Sequence, residues 1–280
     1  MNHVDTYPPI VCVAGPTASG KSAKAVSLAK ELDGEVISVD SRQVYRMLDI
    51  GTEKTTKEEM DGIPHYLIDI RDPKDPYSAG DFVRDAEQLI EDMRARGKRP
   101  ILAGGTHFYF DALLYGLPDG TEPDPVLRKN LESRSTDSLF EELKERDPRR
   151  AGKIDAQNKR RLVRALEILS THDQVPERNL SEARYAVEWV VLNPERDELR
   201  ERIHTRLEKA LERGLIEEVR QVRAYVGDER LDELGLEYRI IGEYLRDERN
   251  EDTLLSSLST KVWHYARHQK AWLRQIESRV

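Results

Sequence analysis

Residues 10–32 have the sequence IVCVAGPTASGKSAKAVSLAKEL. An apolar run at 10–14 precedes the pattern G-x-x-x-x-G-K-[ST] at 15–22, and a helical pattern follows at 23–32. A strand, a glycine-bounded loop and a helix in this order predict a phosphate-binding loop, whose backbone N–H groups and helix N-terminus face an anion. Lys21 adds a positive charge, and the Ser22 hydroxyl can ligate Mg²⁺. The predicted diphosphate-binding residues are Gly15, Pro16, Thr17, Ala18, Ser19, Gly20, Lys21 and Ser22.

The composition is that of a globular chain with a heavily charged surface. Of 280 residues, 38% are hydrophobic and 35% charged, and the net charge is −8. No apolar run approaches the roughly 20 residues that a membrane span needs, and the first residues lack the features of a signal peptide. Cys12 is the single cysteine, and the seven histidines are scattered. We therefore expect a cytoplasmic protein with no membrane segment, no disulfide and no cluster of cysteine and histidine ligands.

Further short β-type runs occur at 35–39, 66–70, 100–103 and 186–192, and they predict a parallel sheet of about five strands. Asp40 follows the second run directly, and Gly104, Gly105 and Thr106 follow the fourth. Because ligands gather at the carboxyl ends of parallel strands, we expect these residues at the same edge as the phosphate loop. Position alone leaves three roles open for Asp40: a Mg²⁺ ligand, a proton acceptor or a cap for the backbone that follows.

The segment at 117–125, with Pro118, Gly120, Pro123 and Pro125, predicts a domain boundary. We expect a catalytic core at 1–120 and 185–280 and a mostly helical insertion at 121–184. Other predicted helices lie at 78–96, from 107, at 195–225 as one or two helices, and at 254–279. A short polar-aromatic segment at 235–239 precedes another helix. Within the insertion, Leu162, Leu166 and Leu169 form an apolar stripe, and Arg160, Arg161 and Arg164 form either a basic patch or a solvated face.

Seven motifs occur in order along the chain: residues 15–22, DSRQVY at 40–45, DIGTEK at 49–54, YSAGDF at 77–82, GGT at 104–106, RRLVRALE at 160–167 and GLIEEV at 214–219. Together they resemble the tRNA dimethylallyltransferase family, also called tRNA isopentenyltransferases. The resemblance covers nearly the whole chain. A single phosphate loop is generic, whereas this ordered set is specific. It implies a P-loop NTPase-like α/β core, with a parallel sheet and helices on both faces, plus a mostly helical insertion domain.

The resemblance also implies an activity: transfer of a dimethylallyl group from dimethylallyl diphosphate to N6 of adenine 37, next to the anticodon of tRNA. Mg²⁺ is the implied cofactor, with Ser22 as its ligand, and the protein is expected to be a monomer. The implied catalytic residues are Asp40 as general base, Thr106 and Lys21. The implied tRNA-binding residues are Asp40, Ser41, Arg42, Gln43, Thr106, Arg128, Arg160, Arg161 and Arg164.

Two segments depart from the family pattern. The family motif T-R-Q-Y-A-K-R-Q corresponds to residues 262–269, where Trp263 replaces an arginine linked to diphosphate binding. Lys261 and Arg267 are the candidates to compensate for it. The usual H-P-N-D before the arginine pair is DAQN, at 155–158.

Three other functions compete with this interpretation. A P-loop kinase of small metabolites would place ATP on the loop, although the chain lacks a clear arginine-rich lid. An adenylate dimethylallyltransferase would prenylate free AMP, but the basic segment around Arg160 favours tRNA. An RNA-binding GTPase-like module would need an N-K-x-D guanine motif, which the sequence does not contain.

Overall fold

The computed structural model describes residues 7–117, 124–177 and 183–277. Within these ranges, five parallel strands form one sheet: β1 (Ile10–Ala14), β2 (Gly34–Val39), β3 (His65–Tyr66), β4 (Arg99–Gly104) and β5 (Val187–Val191). Their order in the sheet is β3-β2-β4-β1-β5. The phosphate-loop strand β1 therefore lies between β4 and β5, and every residue of β1 and β2 is buried.

The helices, in chain order, are α1 (Lys21–Glu31), α2 (Lys57–Met60), α3 (Ala79–Ala95), α4 (His107–Tyr115), α5 (Pro125–Ser133), α6 (Thr136–Arg146), α7 (Pro148–Ala151), α8 (Lys159–Leu169), α9 (Arg196–Glu212), α10 (Leu215–Val226), α11 (Asp228–Glu233), α12 (Leu236–Leu245) and α13 (Leu254–Glu277). In the part of the chain that the structure describes, no helix is both long enough and apolar enough to cross a membrane.

The strand order explains how helices cover both faces of the sheet. The connection from β1 through α1 to β2 crosses β4, and the connection from β3 through α3 to β4 crosses β2 in the opposite direction. Right-handed crossovers that run in opposite directions place their helices on opposite faces. The predicted fold class, a parallel P-loop-like sheet with flanking helices, is confirmed.

The chain divides into two compact units, Met1–Leu114 with Ala183–Val280, and Tyr115–Glu182. The second unit is helical in its described residues and has its own core, formed by α5, α6 and α8. Leu162, Leu166 and Leu169 are buried in this core, as the apolar stripe predicts. The proposed boundary residues Pro118, Gly120 and Pro123 lie outside the described residues, so the division at 120/121 and 184/185 stays a prediction.

The strand predicted at 66–70 is wrong beyond Tyr66. Leu67 and Asp69 have φ angles of 61° and 57°, so the backbone enters the left-handed region and leaves the sheet. Asp69 N instead donates to Gln43 O at 3.1 Å. Residues 67–70 therefore form a loop that contacts the turn after β2. The strand β3 is only two residues long.

Two helix limits also differ from the sequence predictions. The segment at 235–239 is not separate from the next helix, because α12 already begins at Leu236. The segment at 195–225 forms two helices, since Gly214 adopts a φ of 98° between α9 and α10. The predicted last helix is described as far as Glu277, and its expected end at 279 lies outside the described residues.

Candidate active site

The phosphate loop leaves β1 at Gly15 and enters α1 at Lys21. A Cβ atom on Gly15 would lie 2.6 Å from Ser19 Oγ and 2.7 Å from Leu192 O, so only glycine fits at this turn. Gly20 adopts a φ of 88° and begins the helix. The Ser19 hydroxyl is buried and has no hydrogen-bond partner within the described residues. A buried polar atom without a partner is costly, and a bound phosphate or ion at this loop would satisfy it.

The Lys21 side chain reaches back from the first turn of α1 to the start of the loop. Its ammonium group donates to Pro16 O at 2.6 Å. Desolvation by burial lowers the pKa of Lys21 to about 8, an effect that the charge of Asp40 opposes and the charge of Arg206 reinforces. Lys21 therefore lies within electrostatic reach of both a carboxylate and a guanidinium, and a bound diphosphate would favour its charged form.

Asp40 lies at the end of β2, and one of its oxygens organises the turn that follows. Oδ1 accepts hydrogen bonds from Arg42 N at 2.8 Å and Gln43 N at 3.2 Å. Asp40 Oδ2 accepts no hydrogen bond from the residues that the structure describes. Asp40 thus combines the capping role with a second oxygen that can accept a proton or bind an ion.

Thr106 joins the β4 edge to the same turn. Its Oγ1 accepts a hydrogen bond from Ser41 N at 3.0 Å, and Thr106 N donates to Val39 O at 3.1 Å. Gly104 allows this approach, since a Cβ there would lie 2.1 Å from Val39 O. The structure therefore gathers the three predicted catalytic residues, Lys21, Asp40 and Thr106, at one edge of the sheet.

Gln269 on α13 bridges the phosphate loop and the β4 edge. Its Oε1 accepts from Thr17 N at 2.9 Å, and its Nε2 donates to Gly105 O at 2.9 Å. The side chain is 3% exposed. A Cβ on Gly105 would lie 2.5 Å from Gln269 Nε2, which explains the second glycine of GGT. The sequence motifs did not identify this buried amide as a site residue.

Arg206 on α9 is a second site residue that the motifs did not identify. One terminal nitrogen donates to Thr17 Oγ1 at 2.8 Å, and the other pairs with Glu237 at 3.0 Å. The side chain is only 15% exposed. A guanidinium held rigidly against a phosphate loop suits bidentate binding of diphosphate oxygens.

His107 begins α4 directly after Thr106, and its ring stacks on Trp272 with centroids 4.1 Å apart. Desolvation by burial, and then the charge of Lys21, lower the pKa of His107 to about 4. The imidazole is therefore neutral at physiological pH and adds no positive charge to the loop. The Trp272 indole is fixed in turn by a hydrogen bond to Asp111 at 3.1 Å.

The family model of the IPP transferases matches residues 43–276. A tRNA dimethylallyltransferase from Thermomicrobium roseum is 43% identical over 278 residues, which cover 96% of this chain and 84% of that protein. A second, from Citrifermentans bemidjiense, is 39% identical and covers 94% of this chain and 88% of that protein.

Solved structures give the same result. The tRNA isopentenylpyrophosphate transferase of Bacillus halodurans matches with a TM-score of 0.72 at 37% identity, over 96% of this chain and 87% of that one. A eukaryotic dimethylallyltransferase acting on tRNA matches with a TM-score of 0.82 at 28% identity, over 94% and 69%. This chain belongs to the IPP transferase family. Membership makes it a prenyl-transferring enzyme and confirms the resemblance drawn from its motifs.

Several motifs of this IPP transferase organise the scaffold around the site. The Gln43 amide accepts from Ser38 and donates to the carbonyls of Thr52 and Glu53 at 3.2 and 3.1 Å. Lys54 binds Tyr45 O and the carboxylates of Asp49 and Asp69. These contacts fix the DIGTEK loop to the turn after β2. The YSAGDF motif is a capping box for α3, in which Ser78 and Asp81 satisfy each other's backbone N–H groups.

The GLIEEV motif anchors the same loop from α10. The Glu218 carboxylate accepts hydrogen bonds from the backbone N–H groups of Asp49, Ile50 and Gly51 at 3.0, 2.7 and 3.0 Å, and from the Tyr238 hydroxyl at 2.6 Å. Gly51 has no room for a side chain, since a Cβ there would lie 2.8 Å from the Tyr238 ring. Four donors on one carboxylate make Glu218 the principal support of this loop.

We expect Glu218→Gln to lower the free energy of unfolding by about 2–3 kcal/mol, because the amide nitrogen would face backbone donors that need an acceptor. Urea denaturation measures the change. The adjacent Glu217 is exposed and, among the described side chains, accepts only from those of Arg220 and Gln221 on the same helix. Glu217→Gln therefore provides the matched control, with an expected change of about 0.5 kcal/mol or less. An equal decrease in the free energy of unfolding of the two variants would contradict the anchoring role of Glu218.

The predicted tRNA-binding residues of the second unit have different surroundings. Arg160 and Arg161 are exposed on the first turn of α8. The buried Glu167 instead holds Arg128 through two hydrogen bonds of 2.6 and 2.8 Å, and Arg164 at 3.3 Å. The departing DAQN segment precedes α8 and ends at its N-cap, Asn158, whose Oδ1 accepts from Arg161 N at 3.1 Å.

The departure at Trp263 has its own local environment on α13. Arg196 and Arg200 of α9 lie over the indole, with their guanidinium carbons 5.9 and 5.5 Å from the ring centroid. Lys261 and Arg267 are exposed and make no hydrogen bond to the phosphate loop in the described structure. The guanidinium that contacts the loop is that of Arg206, on a different helix from either candidate for compensation.

The pKa of Lys21 predicts how anion binding depends on pH. The charged ammonium attracts diphosphate, and it loses its proton as the pH rises through about 8. We therefore expect the affinity of the ligand-free enzyme for inorganic pyrophosphate to fall between about pH 7 and pH 9, as measured by calorimetry. In Lys21→Arg the guanidinium stays charged throughout this range. Any change shared by both proteins comes from titration of pyrophosphate itself, and identical pH profiles would contradict the assignment to Lys21.

Proposed function

We propose that this enzyme transfers a dimethylallyl group from dimethylallyl diphosphate to N6 of adenine 37 in tRNA, giving N6-dimethylallyladenosine. The main support for this proposal is that a chain of this family places three features at one edge of the sheet. They are the phosphate loop, the Asp40 carboxylate with one oxygen free of hydrogen bonds from described residues, and the Thr106 hydroxyl. This set of groups suits direct displacement of a diphosphate by an amine, a reaction that needs no protein nucleophile.

The proposed reaction replaces the C1–O bond of the donor with a C1–N6 bond and moves one proton from N6 to a carboxylate. The N6 lone pair attacks C1 of the prenyl group, the C1–O bond breaks, and its electron pair leaves with the diphosphate. The N6 proton passes to Asp40 Oδ2, while Oδ1 keeps its two backbone hydrogen bonds. General base catalysis of this kind contributes about 10²- to 10⁴-fold to the rate.

Stabilisation of the leaving diphosphate falls to the phosphate loop. Its backbone N–H groups, the Lys21 ammonium and the Arg206 guanidinium offer donors to the oxygens on which negative charge develops. Gln269 contributes indirectly, because it holds Thr17 N and Gly105 O in place. Thr106 aligns the Ser41 backbone beside Asp40.

The adenine must leave the anticodon-loop stack, which costs a few kcal/mol. Phe108 and Tyr265 are 51% and 47% exposed. Phe108 is two residues from Thr106, and Tyr265 lies one turn before Gln269 on the same helix. We assign these rings to apolar contact with the base and the prenyl chain, which offsets that cost.

The tRNA contacts proposed for the second unit rest first on Arg160 and Arg161, which are exposed and form no ion pair among the described residues. Arg128 and Arg164 are held by Glu167, so a phosphate would have to share them with that carboxylate. Ser41, Arg42 and Gln43 lie in the turn after Asp40, and Gln43 is already engaged by internal partners.

Mg²⁺ fits the donors at the loop. Within the described ranges, no group of three or more histidine, cysteine, aspartate or glutamate side chains gathers to hold a metal. Mg²⁺ at phosphate sites takes few protein oxygens and completes its shell with phosphate and water. The Ser22 hydroxyl on the first turn of α1 would hold it, and the ion would neutralise charge on the diphosphate.

Calorimetry tests the proposed donor substrate. We expect dimethylallyl diphosphate to bind in the presence of Mg²⁺ more tightly than ATP. Tight binding of ATP without binding of the prenyl diphosphate would favour the small-metabolite kinase. Family membership favours the prenyl donor, while free AMP as acceptor is tested by the transfer assay. The cytoplasmic location and the monomeric state stay predictions.

A further inference from the structure

A cationic surface lies between α9 and α13, and we call it the α9–α13 surface. A cavity of about 500 Å³ there is lined by Arg196, Arg200, His204, Ser259 and Trp263, among others. A second cavity of about 510 Å³ shares Arg196 and Trp263 and continues along α13. Each volume is in the range of a small-molecule or nucleotide site. Neither is lined by a residue of the phosphate loop.

The geometry of α13 separates this surface from the proposed active site. With about 3.6 residues per turn, Trp263, Arg267, Lys270 and Arg274 share one face of the helix. Gln269, which touches the phosphate loop, falls on the opposite face. The α9–α13 surface therefore lies on a different face of α13 from the residue that touches the phosphate loop.

Three arginines of this surface have no partner of opposite charge among the side chains that the structure describes. Arg196, Arg200 and Arg267 form no ion pair with the side chains described within residues 7–117, 124–177 and 183–276. Arg202, which also lies on α9, by contrast pairs with Glu198 at 2.7 Å. Glu201 is the one carboxylate among the residues that line the two cavities. Unpaired cations gathered in a chain of net charge −8 indicate a binding surface for an anion.

Trp263 organises two of these arginines. Both guanidinium groups lie within 6 Å of its ring centroid, at 5.9 Å for Arg196 and 5.5 Å for Arg200. A cation–π contact limits the motion of a guanidinium and leaves its N–H donors available to phosphate oxygens. Because less side-chain entropy is lost on binding, two neighbouring phosphate groups would be held more tightly than by free arginines.

We propose that Arg196, Arg200 and Trp263 bind the ribose-phosphate backbone of the tRNA substrate, at a contact separate from the active site. The proposal rests on the proposed function for the identity of the RNA. Neighbouring guanidinium groups match successive phosphates of a polynucleotide, and the local charge is complementary to RNA.

The test compares the double variant Arg196→Gln, Arg200→Gln with the unaltered chain. Affinity for unmodified tRNA is measured against salt concentration. At about 0.1 M salt we expect roughly tenfold weaker binding, and a salt slope lower by about two units. The KM for dimethylallyl diphosphate should not change. Trp263→Ala should weaken tRNA binding in the same direction, and Trp263→Phe, which retains an aromatic ring, should recover part of the loss.

The control is Arg84→Gln, Arg220→Gln, which removes the same charge from exposed positions on α3 and α10. Equal affinities and salt slopes in the two double variants would overturn the proposal. Weaker binding of AMP with unchanged binding of tRNA would also overturn it, in favour of a mononucleotide site. The proposed function fails differently: the unaltered chain would then transfer no prenyl group to tRNA, whatever its affinity for RNA.

Discussion

Replacing Asp40 with asparagine is expected to lower the rate of prenyl transfer by roughly 10²- to 10⁴-fold, with little change in melting temperature. Asparagine retains Oδ1, the oxygen that accepts from Arg42 N and Gln43 N, so the turn after β2 is preserved. It replaces Oδ2, the proposed proton acceptor, with an amide that cannot take a proton. Single-turnover rates at saturating prenyl diphosphate measure the effect.

The Mg²⁺ dependence of this variant distinguishes three roles. Loss of rate at every Mg²⁺ concentration supports the general base. Partial recovery in excess metal would make Asp40 an ion ligand. An unchanged rate would leave Asp40 only as a cap, and would contradict the proposed chemistry. Asp40→Ala is the companion variant, because it removes both oxygens and should also lower the melting temperature.

Replacing Arg206 with glutamine is expected to lower kcat/KM for dimethylallyl diphosphate by roughly 10²-fold, the usual cost of losing one donor to a developing negative charge. Arg206 donates to Thr17 Oγ1 and is nearly buried. Arg202, four residues earlier on α9, is exposed and pairs with Glu198. Arg202→Gln is therefore the matched control, and it should retain full activity. An equal decrease in kcat/KM of the two variants would mean that any change of charge on α9 lowers activity, and would contradict a specific role of Arg206 at the phosphate loop.

The pH dependence of kcat/KM gives a second, independent signature of both residues. Asp40 raises the pKa of Lys21 and Arg206 lowers it, while desolvation sets the overall decrease to about 8. Removing Asp40 should move the alkaline fall in kcat/KM to lower pH, and removing Arg206 should move it to higher pH. Shifts in the same direction would contradict this arrangement of charges.

The sequence was sufficient to predict the sheet-edge part of the site. Asp40 directly follows β2, Thr106 lies two residues after β4, and Lys21 ends the loop that follows β1. Parallel strands bring their carboxyl ends to one edge. The order of elements therefore determines where these residues meet, without knowledge of how helices pack. The same local logic failed at 67–70, where left-handed φ angles at Leu67 and Asp69 are not encoded in hydrophobic periodicity.

Arg206 and Gln269 could not be predicted in this way, because they reach Thr17 from 189 and 252 residues away in the sequence. Periodicity identifies the apolar face of a helix but not the element that it crosses. Weak signals were present: Arg206 is next to the buried Leu207, and Gln269 lies in the family segment at 262–269. Glu218 had a clearer one, since it precedes the buried Val219 within a family motif.

The most direct measurement is incubation of the unaltered enzyme with dimethylallyl diphosphate, Mg²⁺ and unmodified tRNA, followed by mass analysis of the nucleosides, with free AMP as a parallel acceptor. We predict N6-dimethylallyladenosine at position 37 of the tRNA and no comparable product from AMP. Prenylated AMP with unmodified tRNA would contradict the account and identify an adenylate dimethylallyltransferase. Absence of any prenylated product from an enzyme that transfers phosphate from ATP would contradict it in favour of a kinase.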